Sequence, residues 1–108
     1  MRRIYFDISA TTPIEPRVAD FMHALQIETY GNPSSIHREG QAARAIIEKS
    51  RRELATALCC SPEEIIFTSS GSESNNMVLK GTLNSGNHFI TSSYEHPAIL
   101  KVLPYLKE

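Results

Sequence analysis

The sequence predicts an α/β fold, built as part of a three-layer arrangement with two short parallel strands and four helices. Residues 65–68 and 88–91 are short apolar runs of the kind that form buried strands. The stretch between them has room for one helix, so the three segments have the length of a strand–helix–strand unit. Because such units join parallel strands, we expect both strands to lie in one layer that helices cover.

The four helices are predicted from apolar residues that recur at helical spacing. The first follows Pro13 and Pro16, and the second covers residues 38–60. The third covers residues 73–83, and the last opens at Pro97. The stripes consist of Val18, Phe21, Met22 and Leu25 in the first helix, Ala43, Ile46, Ile47, Leu54, Ala57 and Leu58 in the second, and Ile99, Leu100, Leu103 and Leu106 in the last. Pro104 is expected to bend or shorten the last helix.

Composition limits the class of protein. The chain has 108 residues, enough for one domain at most, and its 41% hydrophobic and 21% charged residues are globular values. Eleven basic and twelve acidic side chains give a net charge of −1, which argues against nucleic acid or a membrane surface as a partner. The longest apolar run, residues 57–60, is far shorter than the ~20 residues of a membrane span.

The cysteines and histidines indicate neither a disulfide framework nor a metal site. Cys59 and Cys60 are adjacent, and this usage is typical of a reducing compartment, so we expect a cytoplasmic protein. At the end of the second helix they are expected to be buried as small apolar residues. His23, His37 and His88 lack the paired spacing of zinc ligands, and no metal site is predicted.

A candidate anion site follows the first predicted strand. Gly71 and Ser72 stand in a run of small residues where a strand ends and a helix begins. Backbone N–H groups at a helix start, together with a serine hydroxyl, can bind a phosphate. An ordinary helix capped by serine explains the same residues equally well.

His96 follows the second predicted strand. If the strands are parallel, it lies at the same edge of the sheet as Gly71 and Ser72, where open α/β sheets gather their ligands. An imidazole there could stack on a flat ring or move a proton. The alternative is a solvated loop histidine without a role.

Five short motifs follow one another along almost the whole chain. They are Tyr5-Phe6-Asp7 through Ala10-Thr11-Thr12, Gly31-Asn32-Pro33-Ser34-Ser35 with His37, Glu63-Glu64-Ile65-Ile66-Phe67-Thr68-Ser69, Gly71-Ser72-Glu73-Ser74-Asn75-Asn76, and Glu95-His96-Pro97-Ala98. In this order and spacing they resemble the N-terminal part of the cysteine desulfurases. These belong to the class V aminotransferase group of pyridoxal-phosphate enzymes, which have fold type I.

The resemblance implies roles for three residues. The family's phosphate-binding pair falls on Gly71 and Ser72, with serine in place of the usual threonine. The family's ring-stacking and proton-transferring histidine falls on His96. Asn75 and Asn76 are expected to support the site. The cofactor implied is pyridoxal 5'-phosphate, which this chain alone is expected to bind weakly or not at all.

The resemblance also implies that the chain is a single incomplete domain. Residues 1–13 would be an N-terminal arm, and residues 14–108 the start of the cofactor-binding large domain. Four catalytic residues of the family come later in the fold, so this chain alone is expected to be inactive. They are the lysine that bonds to the cofactor, the cysteine that accepts sulfur, the aspartate that pairs with the pyridine nitrogen and the arginine that holds the substrate carboxylate. The two strands are not neighbours in the family's sheet, so alone they must pair with each other, with another copy or with the rest of the enzyme.

The function implied is transfer of sulfur from L-cysteine to an enzyme cysteine as a persulfide, with release of alanine. That sulfur would serve iron–sulfur cluster or thio-cofactor assembly, and the partners expected are L-cysteine, a second subunit and a sulfur-acceptor scaffold. The alternative is a non-catalytic remnant or interaction module that pairs with a longer desulfurase chain. Ile8, where the family usually has a polar residue, motivates this alternative. An unrelated phosphate-binding α/β domain is a third, weaker hypothesis.

Overall fold

The computed structural model describes residues 3–82 and 88–106. The chain divides into two compact units, Met1–Ile65 and Ile66–Glu108, called here the N-terminal and C-terminal units. The described residues form four α-helices, in agreement with the number predicted. None of these helices combines the length and the apolar composition that crossing a membrane requires.

Helix α1, Pro16–Glu28, begins the N-terminal unit. The Glu15 carboxylate accepts a hydrogen bond from the Val18 amide at 3.2 Å, and Pro16 occupies the first helical position, where its missing N–H costs nothing. The apolar stripe predicted for this helix is present but uncovered. No residue of α1 is buried, and Phe21 stays 61% exposed.

Helix α2, Arg38–Leu58, supplies the core of the N-terminal unit. Gly40, Ala43 and Ala55 are its buried residues, so this core consists of small groups. The His37 ring caps the helix, because Nδ1 accepts from the Gly40 amide at 3.3 Å. A 3₁₀ turn, Pro62–Glu64, packs against α2.

Helix α2 ends two residues before the predicted boundary because Cys59 adopts the left-handed conformation, with φ 55° and ψ 42°. The Cys59 amide donates to the Thr56 carbonyl and the Cys60 amide to the Ala55 carbonyl, the two bonds of a Schellman motif. Glycine is the usual residue here, and a side chain costs about 1–2 kcal/mol. The predicted burial of the cysteines is wrong: Cys59 is exposed and Cys60 is half-buried, because the turn carries them off the helix.

The loop between α1 and α2 lies directly against the first turn of α2. Its turn is closed by the Asn32 side chain, whose Oδ1 accepts from the Ser34 amide at 2.9 Å. A Cβ added to Gly31 would lie 2.3 Å from the Glu39 carbonyl oxygen, and one added to Gly40 would lie 2.5 Å from the Ser35 carbonyl oxygen. Both glycines are therefore needed for close backbone packing.

Helices α3, Gly71–Gly81, and α4, Pro97–Leu100, pack together in the C-terminal unit. The last helix is shorter than its apolar stripe predicted. Pro104 has no N–H for the Leu100 carbonyl, so the chain continues as a 3₁₀ turn, Leu103–Leu106. Val102, between the two, is 4% exposed and is the buried apolar residue of the described part of this unit.

The two predicted parallel strands are not confirmed, because no residue in the described ranges belongs to a β-ladder. Ile65 has strand-like angles, φ −92° and ψ 119°. Its backbone groups bond to a turn and a side chain instead of a strand: the amide donates to the Pro62 carbonyl, and the carbonyl accepts from the Arg51 guanidinium. Residues 88–91 likewise have no strand partner among the described residues. An apolar run predicts burial, but a strand needs a neighbouring strand to bond with.

The loop packing predicts that Gly31→Ala lowers the free energy of unfolding by about 1–3 kcal/mol, since the new methyl group must push the α2 backbone away. Urea unfolding followed by circular dichroism measures this change. Gly81→Ala is the matched control, because a Cβ at Gly81 would meet nothing within 4 Å. Equal destabilisation by both changes would contradict the packing.

Candidate functional site

The start of helix α3 is held by three hydroxyl side chains. The Ser70 hydroxyl, at the N-cap, accepts from the Glu73 amide at 3.2 Å. Thr68 reaches over the same turn, with its hydroxyl 2.7 Å from the Ser74 hydroxyl and 3.2 Å from the Ser70 carbonyl oxygen. The helix therefore begins at Gly71, two residues before the predicted start.

The Glu73 carboxylate turns back toward Ser69. One carboxylate oxygen accepts from the Ser69 amide at 2.6 Å and from the Ser69 hydroxyl at 2.7 Å. These bonds, first the hydroxyl and then the amide, lower the pKa of Glu73 below its ordinary value of 4.5. The arrangement resembles a capping box displaced by one residue, and it holds the carboxylate on the residues that precede the helix.

The amides of Gly71 and Ser72 are left without an acceptor among the described residues, and so is the Ser72 hydroxyl. These three groups are called here the 71–72 donors. Gly71 and Ser72 are both exposed, and a Cβ at Gly71 would meet nothing within 4 Å. Free donors at the positive end of a helix can bind an anion.

His96 is the N-cap of α4, and its Nδ1 accepts from the Ala98 amide at 3.1 Å. A neutral imidazole that accepts through Nδ1 carries its proton on Nε2. The ring is therefore fixed to the backbone through Nδ1, and Nε2–H is left to donate a hydrogen bond. The sequence interpretation of His96 as a residue after a strand is replaced by this capping role.

Ser72 and His96 line one open depression of about 360 Å³, which lies within the C-terminal unit. Gly71, the residue before Ser72, is not among the residues that line it. The lining also includes Asn76, Ala98, Lys101 and Tyr105. The Asn76 side-chain amide donates to the Ser72 carbonyl at 2.9 Å, one turn earlier in α3.

Sequence reasoning missed Lys101 and Tyr105. Neither falls on a recognisable spacing from His96, because the chain changes from α-helix to a 3₁₀ turn between them. The Lys80 ammonium lies 5.5 Å from the centre of the Tyr105 ring, which fastens this turn to α3 by a cation–π contact. No three histidine, cysteine or acidic side chains of the described residues gather into a group that could hold a metal ion.

These features define a domain in which a helix start with unpaired backbone donors and an imidazole meet at one depression, through Ser72 and His96. The sequence matches the aminotransferase class-V family over residues 4–107, and the chain therefore belongs to that family. The resemblance drawn from the five motifs is confirmed.

Named relatives give the comparison more detail. The chain is 43% identical to cysteine desulfurase IscS of Dictyoglomus turgidum, covering 99% of this chain and 28% of that protein. It is 44% identical to a mitosomal cysteine desulfurase of Encephalitozoon cuniculi, of which it covers 26%. The solved structure of a NifS-like protein matches with a TM-score of 0.87 at 40% identity, over 98% of this chain and 30% of that chain. The chain thus spans little more than a quarter of the length of these relatives.

The lowered pKa of Glu73 predicts an acid-sensitive helix start. The ionised carboxylate stabilises the turn fully above pH 4.5, its ordinary pKa, and this stabilisation is lost as the pH falls through the lower folded-state pKa. The chemical shifts of the Glu73 carboxyl and the Ser69 amide, followed by NMR between pH 7 and 2, should change with one shared titration midpoint below pH 4.5. Glu73→Gln should remove the transition at Ser69. A midpoint at or above the ordinary value would contradict the two hydrogen bonds.

Proposed function

We propose that this chain forms the phosphate-binding part of the cofactor site of a pyridoxal-phosphate-dependent cysteine desulfurase. The observation that carries the proposal is the set of 71–72 donors, free and open, beside the depression that His96 lines. Membership of the aminotransferase class-V family supports the choice of cofactor.

The residues present fit the phosphate end of this cofactor. Two amides and a hydroxyl can each donate to a phosphate oxygen, and the helix start adds about half an elementary positive charge. Gly71 and Ser72 are both exposed, so a ligand can reach these donors from solvent. When bound, pyridoxal phosphate supplies an electron sink that weakens bonds at the substrate's α-carbon.

His96 would lie against the flat ring and present Nε2–H to the ligand. The Ala98 amide holds Nδ1, so the imidazole has one fixed orientation in this state. To act as a general acid or base, the ring would take up a proton on Nδ1 as the Ala98 contact opens and would release one from Nε2.

The reaction of the whole enzyme is proposed from the family and the relatives. Sulfur would pass from L-cysteine to an enzyme cysteine as a persulfide, with release of alanine, for iron–sulfur cluster or thio-cofactor assembly. Residues 1–13 would form an arm and residues 14–108 the start of the large domain, working as a homodimer in the cytoplasm with a sulfur-acceptor scaffold. The relatives named as cysteine desulfurases support the substrate.

A charge placed on the 71–72 donors tests the cofactor site. Gly71→Asp should abolish binding of pyridoxamine 5'-phosphate, because the carboxylate repels the phosphate while its place in the first helical turn keeps α3 stable. Amide shifts of Gly71 and Ser72 in NMR titrations measure this binding even when it is weak. Gly71→Ala is the control and should still bind, since the added methyl group meets open space. Unchanged binding by the Asp variant would refute the site.

A second function, an interaction module that pairs with a longer desulfurase chain, is favoured by exposed apolar side chains. In the N-terminal unit Phe6 is 90% exposed and Ile36 is 92% exposed, and α1 buries none of its residues. Isolated exposed apolar residues are normal, but three exposed residues on one helix stripe, Val18, Phe21 and Met22, are typical of a surface that binds another protein.

Activity and association distinguish the two functions. The 108-residue chain with pyridoxal phosphate is expected to release no alanine from L-cysteine, because the sulfur-accepting and cofactor-bonding groups of the family come later in the fold. A module would also co-purify with a full-length desulfurase, and Phe21→Glu on α1 should break that complex while the control Gln26→Glu should not. Alanine release by the chain alone, abolished by Gly71→Asp, would refute the expected inactivity.

A further inference from the structure

We infer that Lys101 is an additional phosphate-binding residue, which supplies the full positive charge that the 71–72 donors lack. The inference rests on the proposed function and names a residue that the sequence motifs do not include. Lys101 follows α4 directly, and its amide donates to the Pro97 carbonyl at 3.0 Å.

Lys101 lies at the same depression as Ser72 and His96. It is the one residue of that lining with a permanently charged cationic side chain. Within the described part of the chain its ammonium has neither an ion-pair nor a hydrogen-bond partner. Lys80, by contrast, lies over the Tyr105 ring. Lys101 is therefore the cation available to a ligand in the depression.

The charge balance of the site favours such a residue. A phosphate monoester carries about 1.5–2 negative charges near pH 7, whereas the helix start offers about half a positive charge. His96 adds none in the form that accepts at Nδ1. Glu73, the third residue of α3, adds a negative charge at the same helix start, although Ser69 holds its carboxylate. A lysine on the lining offsets this deficit.

A phosphate-dependent affinity comparison tests the inference. Pyridoxamine 5'-phosphate and pyridoxamine differ only in the phosphate, and neither has an aldehyde that could bond to lysine amines. Each is titrated into the 108-residue chain while the Gly71 and Ser72 amide shifts are followed. The variants are Lys101→Met, Lys101→Arg and the charge-matched control Lys49→Met, whose lysine pairs with Glu53 in the N-terminal unit.

Lys101→Met should weaken the binding of pyridoxamine 5'-phosphate about threefold at low ionic strength, an effect of the size typical of exposed ion pairs. Binding of pyridoxamine should not change, Lys101→Arg should keep the original affinity, and Lys49→Met should have no effect. At an ionic strength of about 1 M the threefold difference should disappear, because the screening length falls to about 3 Å.

Each contrary result has a separate meaning. If Lys101→Met binds normally while Ser72→Ala binds more weakly, the inference about Lys101 is wrong and the proposed function stands. Equal weakening of both ligands, or equal effects of the Lys49 and Lys101 variants, also overturns it. If the unmutated chain binds both ligands with equal affinity, the proposed function fails as well.

Discussion

The distribution of hydrogen bonds at the start of helix α3 decides what this chain can bind. A helix start presents amides that have no partner inside the helix, and side chains or ligands must take them. Here Ser70 takes the Glu73 amide, and Glu73 turns its carboxylate onto Ser69. A carboxylate bonded instead to Gly71 or Ser72 would occupy the place of an anion. Because the acidic side chain is held one residue earlier, the 71–72 donors stay available.

The way backbone hydrogen bonds are satisfied also explains why the described part of the chain has helices but no strands. A helix satisfies its backbone within itself, so α1 forms even though none of its residues is buried. A strand depends on a neighbour, and the backbone of Ile65 bonds to Pro62 and Arg51 instead. The chain corresponds to 28% of a cysteine desulfurase relative. The two apolar runs suit a buried sheet, but they find no strand partner among the described residues.

Two glycines and one cysteine show how backbone geometry shapes the N-terminal unit. Gly31 and Gly40 let the loop touch the first turn of α2, which fixes where His37 caps the helix. Cys59 occupies a left-handed position that glycine would fill at lower cost, and no described contact of its exposed side chain compensates. Nothing in the structure explains why cysteine stands at this position.

The sequence by itself determined the number and approximate places of the helices, because apolar spacing and caps such as Pro16 and Ser70 act within one or two turns. It also determined the family and singled out Gly71, Ser72 and His96, since motif order does not depend on packing. Only the tertiary structure decided which amides stay free, that His96 caps α4, and that Lys101 joins Ser72 at one depression. Those facts depend on how α3 and α4 pack and on the turn that Pro104 imposes. Contacts of this kind produce no repeating pattern in the sequence, so sequence reasoning cannot find them.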